Sequence, residues 1–149
     1  MNHPIKVLVV DDDEVFRRRV CEALEYAMGI TIAGEAQGRQ EALALTHELR
    51  PDVVLVDIGI SPTENLRIVA QINSSFPDIR IVVLNKDEQG QQVLDALRKG
   101  ALGHLSRERA QSAELVHALC AASRGEAILS PDIAGHILDK VARERKNEP

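Results

Sequence analysis

Carboxylates stand at the ends of two hydrophobic runs: "KVLVVDDD" sets Asp11, Asp12 and Asp13 directly after Val and Leu, and "VVLVD" ends at Asp57. A third run, "IVVLNKDE", ends at Asn85. Short apolar, β-branched runs of this kind read as strands of a parallel sheet buried on both faces. In such a sheet functional groups gather beyond the carboxyl ends of the strands, near the point where strand order reverses. If the first and third strands are neighbours, Asp11, Asp12 and Asp57 face one small volume. Like charges that close raise one another's pKa unless a cation neutralises them. Hard oxygen donors with room left for water and phosphate suit Mg2+. Asp13 stands where the first helix should begin and is expected to cap it.

The elements that must hold these groups alternate along the chain. Strands are expected over residues 5–10, 31–36, 53–57, 79–84 and 102–105, with helical periodicity near 14–28, 39–50, 64–75, 88–99 and 110–124. In the fourth helix Val93, Leu94 and Leu97 share a face, and Gly100 should end it. Five β/α repeats joined by short connections predict a doubly wound five-stranded parallel sheet in the flavodoxin-like order. After Gly125, Ser130-Pro131-Asp132 reads as the start of another helix, with Ile133, Ile137, Leu138 and Val141 as its apolar stripe. The expected organisation is a domain over residues 1–125 and a C-terminal extension over 126–149. The simpler reading of that extension is a sixth helix folded back on the domain; the other is a linker or dimerisation helix.

Composition narrows the function classes. A net charge of -5 and a pI near 5.5 argue against direct nucleic-acid binding, which draws on clustered Lys and Arg. With 2% aromatic residues and no Trp, a base-stacking platform is not expected either. No apolar run approaches the roughly 20 residues of a membrane span, and no signal peptide is visible, so a cytoplasmic location is expected. Cys21 and Cys120 lack metal-site spacing and read as free thiols.

Taken in order, "VLVVDD", "RPDVVLVDI", "FPDIRIVVL" and "VLDALRKGALGHL" resemble the receiver domain of two-component response regulators over residues 4–125. The tail "ASRGEAILSPDIAGHIL" is similar to the end of receivers that precede a LuxR-type helix-turn-helix. The resemblance implies that Asp57 is the phosphoacceptor and that Asp11, Asp12 and Asp57 hold Mg2+. It also implies that the phosphoryl donor is a sensor histidine kinase or a phosphotransfer protein. Any enzymatic chemistry would be self-phosphorylation and autodephosphorylation. A homodimer, through the fourth-helix to fifth-strand face or through the first and fifth helices, is among the partners it suggests.

Several positions depart from the family. Asn85 stands where receivers carry Thr or Ser, Arg107 where they carry Lys, and His104 at the usually aromatic switch position. Arg109 could replace Arg107 if the alignment slips. The simpler reading of His104 is a solvent-facing polar residue; the sharper one is a switch that ties the signalling face to pH. In the loop "GISPTEN", Pro62 is displaced by one position and Asn65 occupies the usual Gly place, where tolerance of positive φ would preserve a turn. These changes leave open a pseudo-receiver that acts as a phosphorylation-independent interaction module. Asp11-x-Asp13-x-Val15 also fits the first motif of haloacid dehalogenase-like phosphatases, but no late acidic pair and no room for a cap domain accompany it.

Overall fold

Strand order in the sheet is β2-β1-β3-β4-β5, all parallel, so the order reverses between β1 and β3. The strands are β1 (Ile5–Val10), β2 (Ile30–Ala36), β3 (Val53–Asp57), β4 (Arg80–Asn85) and β5 (Gly103–Ser106). Between and after them run α1 (Glu14–Glu25), α2 (Arg39–Leu49), α3 (Pro62–Ser75), α4 (Gln91–Lys99), α5 (Ala113–Ser123) and α6 (Pro131–Lys146). This computed structural model describes residues 3–59, 61–86, 90–111 and 113–147. The expected beginning of the fourth helix at residue 88 lies outside the described residues.

The period of two along each strand sends alternate side chains to opposite faces, and both faces are filled. Val7, Val9, Leu55, Val82 and Leu84 meet Val20 and Leu24 of α1 and Leu115 and Leu119 of α5. Leu8, Val10, Val54, Val56, Ile81 and Val83 meet Ile68, Val69 and Ile72 of α3 with Ala96 of α4. All five residues of β3 are buried, which explains why its sequence is apolar without alternation until Asp57. The fold is the expected doubly wound α/β sheet with an additional C-terminal helix.

Boundaries shift where tertiary contacts take over. α1 ends at Glu25, not 28, and leaves Tyr26 and Met28 exposed in the turn to β2. α3 begins two residues earlier than expected, at Pro62, whose ring suits a first helical turn. Between β5 and α5 an unexpected 3-10 turn, Arg107–Arg109, appears. Gly100 does end α4, at φ 119°, and a Cβ there would sit 2.3 Å from Asn73 Cγ of α3, so any side chain would force the two helices apart.

α6 folds back on α4, where Ile133 and Ile137 bury against Val93 and Leu94 with Leu97, Leu129 and Val141 at the edges. Leu138 is not part of that stripe; it faces solvent with 69% exposure. Both cysteines are free thiols, and burial, followed by the Glu35 charge, pushes Cys21 up to about 12. None of the described helices is long and apolar enough to cross a membrane.

Candidate functional site at the carboxyl ends of β1 and β3

The strand-order reversal brings Asp11, after β1, and Asp57, at the end of β3, together, with Arg107 beside Asp57. Asp57 is 1% exposed. Its Oδ1 accepts the Gly59 backbone N–H at 2.8 Å, and its carbonyl accepts the Asn65 Nδ2 at 2.7 Å. Its Oδ2 lies 2.7 Å from Arg107 Nε. Contact distance here does not amount to a hydrogen bond, because neither Asp57 Oδ2 nor Arg107 Nε has an aligned partner. The charges attract, while the N–H points past the oxygen.

Arg107 is held from three sides. Its Nη2 lies 3.4 Å from Asp13 Oδ2, its guanidinium carbon sits 3.9 Å from the centre of the Phe16 ring, and its Cδ crosses close over Gly59. The planar cation stacks on an aromatic face in a way a Lys ammonium would not reproduce. Arg109, the alternative, pairs with Glu114 on the surface at 2.7 Å. Arg107 is therefore the basic residue beside Asp57.

The β1–α1 turn presents the other carboxylates. Asp11 Oδ1 accepts the Asp13 N–H at 2.9 Å, and Asp13 caps α1 by accepting from Phe16 N at 3.1 Å. The Phe16 N–H, with Arg107 behind it, holds the Asp13 carboxyl below the usual range. Burial pushes the Asp11 carboxyl up to about 8, assisted by the neighbouring Asp57 carboxyl, against the Asp13 N–H and Arg107. Asp12 is exposed and accepts the Ser61 hydroxyl at 3.2 Å.

Among the described residues no three acidic, His or Cys side chains are already closed into a metal cluster. The donor set still suits Mg2+ in chemistry. Asp57 Oδ2 is a buried acceptor without an aligned donor, and burial beside Asp57 raises the Asp11 carboxyl, a like-charge cost that a divalent cation would relieve.

Asn85 and His104 meet directly. Both are buried, at 0% and 3% exposure, and His104 Nε2 lies 2.6 Å from Asn85 Oδ1. A carbonyl oxygen only accepts, so Nε2 carries the proton. The solvent-facing reading of His104 is thus overturned: β5 turns that side chain inward beside β4. The Asn85 Nδ2 donates to Gln92 Oε1 in α4 at 3.1 Å.

Sequence reasoning missed the contacts that two residues make. Asn65 was expected at a turn with positive φ, but it lies in the first turn of α3, and its buried amide supports the Asp57 carbonyl. Arg17, 5% exposed, donates from Nη1 to the Asp11 carbonyl at 2.7 Å and pairs through Nε with Glu35 at 3.0 Å. The only local signal for Arg17 was a cation on the face of α1 that also carries Val20, Cys21 and Leu24.

Comparison with known proteins identifies the family. The model of the response regulator receiver domain matches residues 7–119. The transcriptional regulatory protein LiaR of Bacillus subtilis (strain 168) is 32% identical over 143 residues, which cover 96% of this chain and 67% of that protein. The response regulator GacA of Pseudomonas syringae pv. syringae (strain B728a) is also 32% identical, over 96% of this chain and 66% of its own. A crystal structure of a LuxR-family two-component response regulator from Aurantimonas sp. SI85-9A1 superposes with a TM-score of 0.83 at 27% identity, covering 93% of this chain and 99% of that one. The chain spans about two thirds of the length of the curated relatives it matches. Matched by the family model over residues 7–119, most of its length, the chain belongs to the response regulator receiver domains of two-component systems.

Proposed function

We propose that Asp57 accepts a phosphoryl group from the phosphohistidine of a sensor histidine kinase or phosphotransfer protein, in the cytoplasm, with Mg2+ held by Asp11, Asp12 and Asp57. The observation that carries this reading is Asp57 itself: a buried carboxylate with a cation 2.7 Å from Oδ2 and a second buried carboxyl, Asp11, beside it. A carboxylate is already a nucleophile at neutral pH. With Oδ1 committed to Gly59 N–H, Oδ2 attacks phosphorus, an O–P bond forms, and the P–N bond to the donor imidazole breaks. When bound, Mg2+ neutralises the phosphoryl oxygens during in-line transfer.

Arg107 has a double part. It covers Oδ2, since the Asp57 side chain is fully buried beneath it, so it turns aside as the donor enters and afterwards pairs with the phosphoryl oxygens. Asn85 supplies an amide N–H where the family carries a hydroxyl. That relatives are named transcriptional regulators supports reading the chain as the phosphorylation-sensing part of such a regulator.

The test is intact mass after incubation with Mg2+ and acetyl phosphate, beside Asp57→Ala. One phosphoryl adduct, labile to hydroxylamine and absent from the variant, is expected. A folded protein that gains no adduct from acetyl phosphate or from a kinase-borne phosphohistidine would leave only a phosphorylation-independent interaction module.

A further inference from the structure

One turn of α1 directs two unlike groups at the same guanidinium. Asp13, the N-cap, accepts the Phe16 N–H through Oδ1 and faces Arg107 Nη2 with Oδ2, at 3.4 Å. Phe16, three residues on, lays its ring 3.9 Å from the Arg107 guanidinium carbon. The chain has two Phe, one Tyr and no Trp, so abundance does not explain a ring at this position. The Arg107 stem also passes over Gly59, where a Cβ would lie 3.3 Å from Arg107 Cδ and 3.1 Å from Asp57 Oδ1, so a side chain at that position would crowd both.

A guanidinium at contact distance from a carboxylate ordinarily closes into aligned, often bidentate hydrogen bonds. Here Nε is 2.7 Å from Asp57 Oδ2, and the bond is not made. The plane of the cation is set against that bond. Stacking is the contact that fixes a plane, because the attraction is to the face of the ring. The Asp13 oxygen, at 3.4 Å, adds charge but little direction.

Resting on the reading of Asp57 as phosphoacceptor, we infer that Phe16 is a positioning residue for phosphoryl transfer: its ring holds the Arg107 guanidinium beside Asp57 Oδ2 but out of hydrogen bond with it. Oδ2 keeps the lone pair that must attack phosphorus, while the positive charge that the phosphoryl oxygens will need is already at hand. A cation on a ring face also slides without breaking a directional bond, so Arg107 clears the path to Oδ2 more readily than an aligned fork would. Without the ring the fork turns, closes on Asp57, and has to be opened by each incoming donor.

The full chain is tested with acetyl phosphate and Mg2+: Oδ2 bonds phosphorus, the P–O bond to the acetyl group breaks, and acetate leaves. Intact mass against time gives the rate at saturating donor. Phe16→Leu and Phe16→Met, which keep the apolar packing against the α1 and α5 core but lack a ring, should lose roughly tenfold in that rate. Phe16→Tyr should stay near wild type. The Arg107 Nε–H resonance, followed by NMR with no donor present, should move downfield and exchange more slowly in Phe16→Leu as the bond to Asp57 closes. In an Arg107→Lys background, Phe16→Leu should cost nothing further. Equal rates and an unmoved Nε–H signal in the folded Leu and Met variants overturn the inference and leave the phosphoacceptor reading intact. An equal loss in the Arg107→Lys background also overturns it, since Phe16 would then act through packing alone. No adduct on a folded wild type, as in Asp57→Ala, removes that reading and the inference with it.

Discussion

Arg107 Nε and Asp57 Oδ2 are 2.7 Å apart, yet neither is in an aligned hydrogen bond. The guanidinium is placed by Phe16 and Asp13 as much as by Asp57. Its charge occupies the position where a divalent cation and a phosphoryl group would supply or need charge. Arg107→Ala should therefore act in opposite directions on two ligands. Mg2+ affinity rises because a competing cation has gone, while beryllofluoride affinity falls about tenfold because the phosphoryl partner has gone. A parallel loss of both ligands in a folded variant would show instead that Arg107 only braces the loop.

A Mg2+ ion held by Asp11 would have to displace its proton, so the proposed metal binding should depend on pH. Burial raises the Asp11 pKa from 3.8 to about 8. The folded state thus binds this proton more tightly than the unfolded chain, so the contribution is complete below about 4 and is lost as pH rises toward 8. On the proposed reading, Mg2+ would replace that proton. The increase in melting temperature on adding Mg2+ should grow steadily from pH 6 to pH 8.5, and Asp11→Asn should remove both the shift and its slope. A Mg2+ effect that is flat across this range would show that Asp11 does not exchange its proton for the metal.

Asn65→Ala should destabilise the fold by about 1–3 kcal/mol, because it leaves the buried Asp57 carbonyl without the donor 2.7 Å away. Urea unfolding measures this directly. Asn65→Gly, the residue the family resemblance would place there, should be worse than Ala by up to about 1 kcal/mol, since the position lies inside α3 rather than in a positive-φ turn. If Gly proved better than Ala, the helical placement of Asn65 would be wrong.

The sheet was legible because its signals are local and repeated. Apolar runs ending at Asp11, Asp57 and Asn85, separated by amphipathic stretches, leave few topologies, and the reversal between β1 and β3 then brings Asp11 and Asp57 together. His104 was harder: β5 is only four residues long, too short for period-two alternation to say which way its second residue faces. Asn65 and Arg17 were illegible for another reason. Their partners, the Asp57 and Asp11 carbonyls, are backbone atoms, and a backbone acceptor leaves no trace in residue type. The stacking of Arg107 on Phe16 likewise joins positions far apart in the chain and has no spacing rule to announce it.

Arg17 gives the last prediction. Its guanidinium links three places: α1, the Asp11 carbonyl through Nη1, and Glu35 of β2 through Nε. Arg18 also reaches Glu35, at 3.2 Å, so removing Arg17 does not strand that carboxylate, which is in any case 28% exposed. The main loss is the donor to the Asp11 carbonyl and the brace on the β1–α1 turn. Arg17→Met should cost about 2 kcal/mol, below the 3–5 typical of breaking a fully buried pair, and should weaken Mg2+ binding several-fold at a pH where Asp11 is ionised. Arg17→Lys keeps the charge but cannot reach both partners with a planar fork, so it should recover part of the stability and little of the Mg2+ affinity. Glu35→Gln alone should cost less than either, because the Asp11 carbonyl keeps its donor. Combined with Arg17→Met, it should be less than additive, as expected for groups in one network. Equal Mg2+ affinity in Arg17→Met and wild type, at conditions where both are fully folded, would reduce Arg17 to a structural tie with no influence on the acidic pocket.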